Sequence, residues 1–228
     1  LWTVPVTWPL LAIVQSISAR IGRVTGHGLA ANFRGVMPKW LVSLLVVLLM
    51  IANTVNIGAD LAAMGAAAQL IVGGNARWYT GLFAAGSLLA IVFIPYHRYV
   101  GVLKWLTLSL LAYVGVVFTV KIDWTAVAIG TLVPSLDFSA GSLTLLVAIL
   151  GTTISPYLFF WQSSEEVEEE EADPEAGPLV THPEQASREL GRIGRETWFG
   201  MALASLVFFF IVLTTAVTLH GAGISDIQ

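Results

Sequence analysis

Runs of apolar residues long enough to cross a bilayer recur along this chain, and they leave few ways for it to fold. About 20 consecutive apolar residues span the hydrocarbon core as a helix. Inside lipid, a helix is one of only two structures that satisfy their own backbone polar groups. Six runs meet that length, at roughly residues 1–20, 39–72, 78–96, 102–121, 141–171 and 197–219. The expected class is an all-α integral membrane protein with six transmembrane segments. Composition agrees, because 56% of the 228 residues are hydrophobic and only 11% are charged, where a soluble domain carries about 25% charged residues. The mean hydropathy is +0.80. The second run is too long for a straight span, so it tilts, kinks near Asn53 to Gly58, or runs on past the membrane.

Lys and Arg set the sidedness of these runs. Arg20, Arg23, Arg34 and Lys39 share the first loop, Arg98 and Lys104 the third, and Arg188, Arg192 and Arg195 the fifth. The alternate loops hold only Arg77 and Lys121, so nine basic residues face two. The positive-inside rule then puts loops 20–39, 96–104 and 172–196 in the cytoplasm. The chain opens on Leu1-Trp2-Thr3, inside an apolar run and without a basic leader region. That opening reads as part of a longer protein with no signal peptide.

The fifth run carries a break. Gly151-Thr152-Thr153-Ile154-Ser155-Pro156-Tyr157 interrupts it, and proline at that point removes an amide and clashes with the preceding turn. Backbone opened within the membrane survives where it is buried in protein or lines a polar cavity, and transporters hold their ions at such broken helices. Carbonyls near Thr152 and Ile154, with the hydroxyls of Thr152, Thr153 and Ser155, are hard oxygen donors suited to Mg²⁺, Ca²⁺ or Mn²⁺. A proline kink repaired by Ser and Thr hydroxyls is the simpler alternative. Tyr157 and Gln162 continue the polar positions beyond the break.

Directly after it, residues 165–175 hold eight acids in eleven positions. Such a tract is expected to be a solvated helix end and cytoplasmic linker over about 165–196, or else an anionic vestibule that concentrates cations. Asp60 is the only acid expected within a span. With Asn53 and Asn56 it stands on one helical face, at spacings of three and four residues. Asparagines there serve as interhelical glue, whereas an ionisable group in a membrane points to a proton or cation path.

Other chemistries find no support. The chain has no Cys, which removes disulfides and thiolate sites. Its four histidines, His27, His97, His182 and His220, have no metal-ligand spacing. No nucleophile–base pair or phosphate-cradling loop is present, and basic residues do not interleave with aromatics as in nucleic-acid binding. An enzyme, a bound cofactor and a nucleic-acid partner are therefore not expected.

The motif Gly151-Thr-Thr-Ile-Ser-Pro-Tyr resembles the sixth-helix motif of the NRAMP family of divalent-metal transporters. Ser18-Ala19-Arg20-Ile21-Gly22-Arg23-Val24-Thr25-Gly26 resembles that family's second-to-third-helix loop, and Ala59-Asp60-Leu61-Ala62 its third helix. Order and spacing agree over essentially the whole chain. The resemblance implies a leucine-transporter-type fold of the APC superfamily, present in part as helices two to seven, so that residues 1–228 form a partial transmembrane transporter domain. It also implies that the first helix, with its Asp-Pro-Gly-Asn ligands, and the helices after the seventh lie outside these residues. Ser155 stands where the family has a metal-binding methionine, Tyr157 and Gln162 where it has histidines, and Ala63 where it has a glutamate. Without the soft sulfur, selection for transition metals over hard ions weakens. The sequence is thus similar to the NRAMP-related branch that includes magnesium transporters.

The expected function is secondary transport of a divalent ion of the manganese, iron or magnesium class, with the metal as substrate rather than cofactor. Thr152 and Ser155 would face the metal. Asn56, Asp60, Pro156, Tyr157 and Gln162 would line or gate the path, and protons could be coupled through Asp60. The lipid bilayer and the missing helices of the intact protein are the expected partners, and the setting is a multi-pass position in the cell inner or plasma membrane. The competing readings are a carrier of amino acids or another solute on the same fold, and a membrane fragment that transports nothing.

Overall fold

A computed structural model describes residues 1–94, 105–134 and 138–218. These residues are helical or irregular, with nine α-helices and one short 3₁₀ turn among them. They fall into two compact units, one of residues 1–38 and 110–228, the other of residues 39–109.

In the first unit, α1 covers Thr3–Thr25 and α2 covers Leu29–Val36. The buried positions of α1 include Val4, Leu11, Ala12, Gln15, Ala19, Gly22 and Arg23. Spacings of three, four and seven put them on one helical face. Helix α1 stops at Gly26, whose φ of 65° is left-handed and whose N–H is donated to Gly22 O at 2.8 Å. Glycine takes that conformation without a Cβ penalty. Helices α5 (Leu111–Val117) and α6 (Trp124–Leu132) are short, α6 being capped by the Asp123 carboxylate, which accepts from Thr125 N and Ala126 N. The unit continues with α7 (Ala140–Thr153), α8 (Pro156–Ala172), a 3₁₀ turn at Pro183–Gln185 and α9 (Ala186–Thr218).

Helix α1 packs against both α8 and α9. Ala12, Ala19, Ile193 and Leu213 are almost fully buried. Trp8 and Trp198 meet edge to face with centroids 5.7 Å apart, and Phe33 of α2 meets Phe160 of α8 in the same manner at 5.9 Å. Small side chains bring the backbones of α1 and α8 close, since a Cβ on Gly22 would fall on the carbonyl of Ser163. Membrane helices pack by such small-residue contacts because lipid offers them no hydrophobic drive to associate.

The second unit pairs α3 (Lys39–Val72) with α4 (Ala76–Phe93) through a tight turn. Gly73 and Gly74 have φ of 78° and 89°, and Asn75 caps α4 by accepting from Arg77 N at 2.9 Å. Gln69 Nε2 and the Tyr79 hydroxyl close the turn by donating to the carbonyls of Gly74 and Gly73, each at 3.0 Å. Gly65 is buried where α3 meets α4, and a Cβ there would overlap the Thr80 hydroxyl and the Ala76 carbonyl. Gly65→Leu should therefore spread this hairpin at a cost of about 1–3 kcal/mol. Thermal melting of the detergent-solubilised full-length protein measures it, and an unchanged midpoint would refute the close approach.

Among the described residues, five helices or broken helices are long and apolar enough to cross a membrane, where the sequence suggested six. The difference lies at 102–121. Among its described residues, 105–108 are helical and α5 starts only at Leu111. The described apolar stretch there, Trp105–Val117, is shorter than a span, and it turns at Ser109, whose N–H and hydroxyl are both donated to Leu106 O, at 3.0 and 2.6 Å. Residues 102–104, and 95 and 96 of the third run, lie outside the described residues. Helix α3 is continuous through Asn53 to Gly58. At 34 residues it is about 51 Å long, more than the roughly 30 Å hydrocarbon core. Helix α9 begins at Ala186, ahead of the apolar run at 197–219.

Candidate functional site: a broken helix and a buried ion-pair cluster

The break forms where the sequence places it. Helix α7 ends at Thr153, Ile154 turns out of helical backbone with φ −100° and ψ 65°, and Ser155 is extended at φ −81° and ψ 126°. Pro156 then opens α8 at its first position, where a missing N–H does no harm. Ile154 N is donated to Leu150 O at 2.8 Å, closing the last α7 bond. Beyond it the register fails, because Ser155 is extended and Pro156 has no amide. No backbone N–H among the described residues reaches the carbonyls of Gly151, Thr152 or Thr153. Three oxygens are thus left open at the C-terminal, negative end of α7.

The hydroxyls behave differently from one another. Thr152 Oγ1 is donated to Ala148 O, and Thr153 Oγ1 to Ile149 O at 2.6 Å, so both are engaged with their own helix. Ser155 makes no side-chain cap and is buried. At the break, therefore, the carbonyls of Gly151, Thr152 and Thr153 and the hydroxyl of Ser155 are the available oxygen donors. Thr152 and Thr153 also line a cavity of about 770 Å³ with Leu11, Leu145, Ile149 and Phe208. Tyr157 lies half-buried one residue into α8. Gln162 Oε1 accepts from Gln15 Nε2 of α1 at 2.9 Å, linking positions 147 residues apart. Asn56 and Asp60 are exposed on α3 of the other unit. Among the described residues no three His, Asp or Glu side chains gather as a metal cage.

The acidic tract is not uniformly solvated. Residues 165–172 continue α8, and 186–196 open α9, so the connection between these helices is only 173–185. Spacing of four puts Glu166 and Glu170 on the face toward the protein, both buried, while Glu168, Glu171, Asp173 and Glu175 stay exposed. Arg192 Nη2 lies 2.7 Å from Glu166 Oε2, and the same guanidinium reaches Glu169, Glu189 and Glu196 at 3.0–3.1 Å. Arg23, whose side chain is 4% exposed, sets Nη1 3.1 Å from Glu170 Oε2 and Nε 3.7 Å from Glu189 Oε2. Neither approach has hydrogen-bond alignment, so the attraction is chiefly coulombic. Arg23 Nη2 does donate to Gln185 Oε1 at 3.2 Å. From the sequence, Arg192 served for sidedness and Arg23 for sidedness and the loop motif, neither with a carboxylate partner, and Gln15 carried no expectation. Their signal was present: Gln15 and Arg23 are the large polar positions on the one face of α1 that is otherwise apolar or small, with Val, Leu, Ala, Gly, Ser and Thr.

The long apolar helices, the mid-span break with its open carbonyls and the paired charges at the helix ends define a multi-pass α-helical membrane protein. The family profile described as "Natural resistance-associated macrophage protein-like" (Nramp) matches residues 1–228. The chain belongs to that family. It is 26% identical over 233 residues to a protein of Granulibacter bethesdensis named "Divalent metal cation transporter MntH", an alignment covering 100% of this chain and 50% of that protein. A protein of the same name from Acidiphilium cryptum is 32% identical over 173 residues, covering 72% of this chain and 38% of the relative. For one from Deinococcus radiodurans, the identity is 26% over 235 residues, with 99% and 50% covered. The chain therefore spans half or less of the length of these curated relatives.

Proposed function

We propose that the protein carrying this chain is a secondary transporter of a divalent metal ion of the manganese, iron or magnesium class, set in the cell membrane. The observation that carries this reading is the Ser155-Pro156 break, with the carbonyls of Gly151 to Thr153 unclaimed in a chain of the Nramp family. The names of the relatives, each a divalent metal cation transporter, support the same substrate class. On this reading residues 1–228 are part of one transporter domain of leucine-transporter type. The Thr152 carbonyl and the Ser155 hydroxyl face the ion, and Pro156 keeps the helix open. Tyr157 and Gln162 border the adjacent path, and Asn56 and Asp60 supply a polar face to a second conduit, one that could carry protons. Oxygen donors without sulfur favour a hard ion such as Mg²⁺ or Mn²⁺.

Flux of Mg²⁺ and Mn²⁺ into liposomes holding the full-length protein tests the assignment. Loss of one neutral oxygen donor costs about 1–1.5 kcal/mol, so Ser155→Ala should raise the KM for the ion about 5- to 12-fold. An unchanged KM for every divalent ion would remove Ser155 from the site.

A further inference from the structure

Helix α8 is joined to α7 by two residues outside helical backbone, Ile154 and Ser155. A continuous helix would inherit its direction from the turn before it, but α8 cannot. Its direction comes from what it packs against, chiefly α1 and to a smaller extent α2. At its far end, Glu166 and Glu170 point into the protein and meet guanidinium groups from two other helices, Arg192 of α9 and Arg23 of α1. Buried carboxylates are tolerable when paired. Without the Arg23 charge, Glu170 is left buried and unpaired, a state that turning the end of α8 toward water relieves. Glu170 is 15 residues from Ser155, about 22 Å along the helix, so a small rotation there displaces the start of α8.

We propose that Arg23 is a positioning residue for the metal path: by holding Glu170 it fixes the angle of α8 and, through it, the placement of Ser155 and Gln162. This rests on the transport reading above. Arg23 sits in Ala19-Arg20-Ile21-Gly22-Arg23, where Gly22 lets α1 and α8 touch and Arg23, one residue on, supplies the charge. The contact to Glu189 and the donation to Gln185 bring α9 and its preceding turn to the same guanidinium. The three helices that meet at this end of the unit are thereby held by one side chain.

The test is a double-mutant cycle in the full-length protein with two readouts. Arg23→Gln, Glu170→Gln, the pair together and Arg23→Lys are reconstituted in liposomes and assayed for Mn²⁺ uptake. In parallel, spin labels at His27→Cys and Glu171→Cys, both exposed, report the separation of α8 from the end of α1. Residues remote from a ligand shift its affinity by about 2- to 30-fold. Arg23→Gln should raise KM within that range, with maximal rate per transporter changed less, and should broaden the label distance. Arg23→Lys should restore both, and the paired variant should be less impaired than the two single changes predict. A label distance as narrow as wild type in Arg23→Gln overturns the proposal, and so does a broadened distance with unchanged KM. If the wild-type protein moves no divalent ion, the transport reading falls and takes the metal-path role with it. The label distance then reports only whether Arg23 holds α8.

Discussion

Gly22→Val, made in the full-length protein, is expected to lower its melting temperature by roughly 5–10 °C. The Cβ that valine adds would fall on the backbone carbonyl of Ser163 and against the Ser163 hydroxyl. Backbone cannot rotate aside as a side chain can, so α1 and α8 must separate. Overpacking costs about 1–3 kcal/mol or more where relaxation is blocked. The separation also weakens the contact between Gln15 and Gln162, one face along the same seam. Gly191→Ala is the matched control, because a Cβ there meets only Arg195 Nη1 at 3.7 Å. Fluorescence-detected size exclusion after heating would separate the two variants. Equal stability would mean that the helices do not cross at Gly22.

Arg192→Ala is the second large effect. One guanidinium serves four carboxylates, and two of them, Glu166 and Glu189, have side chains only 5% and 9% exposed. Without it those two are left buried with reduced compensation, and breaking a buried pair from one side costs about 3–5 kcal/mol. Exposed Glu169 and Glu196 should contribute little of that, since surface pairs are worth about 0–1 kcal/mol. Glu196→Gln should accordingly leave the melting temperature nearly unchanged where Arg192→Ala lowers it steeply. The reverse order would place the network at the surface rather than in the protein.

The helical class and the break were legible in the sequence because each follows from a local rule. Apolar runs must form helices in lipid, and Pro156 cannot continue one. What was not legible depended on distant partners. Glu166 and Glu170 look like members of a repelling run until Arg23, 147 residues from Glu170, and Arg192 close on them. Only the four-residue spacing, common to many solvated helices, hinted at a buried face. The Thr152 and Thr153 hydroxyls read as donors toward an ion, yet carbonyls one turn back claim both. Local side-chain to backbone bonds compete with any ligand for Ser and Thr, and composition cannot say which wins. The run at 102–121 passes the hydropathy test, while the described helix within it covers only Trp105–Val117, with a turn at Ser109 smaller than any hydropathy window. Asn56 and Asp60 occupy the shared face that their spacing requires, on a helix whose continuity through Gly58 the small residues there did not foretell.

The end of α1 has a consequence for how the protein is made. Leu179 N and Val180 N are donated to the carbonyls of Arg23 and Val24, at 3.2 and 3.1 Å, so a stretch from late in the chain closes the helix that comes first. A ribosome adding about 5–20 residues per second takes roughly 8–30 s to travel from Val24 to Val180. For that interval the nascent α1 waits with its last oxygens bare, and it can be completed only after several later helices have entered the bilayer.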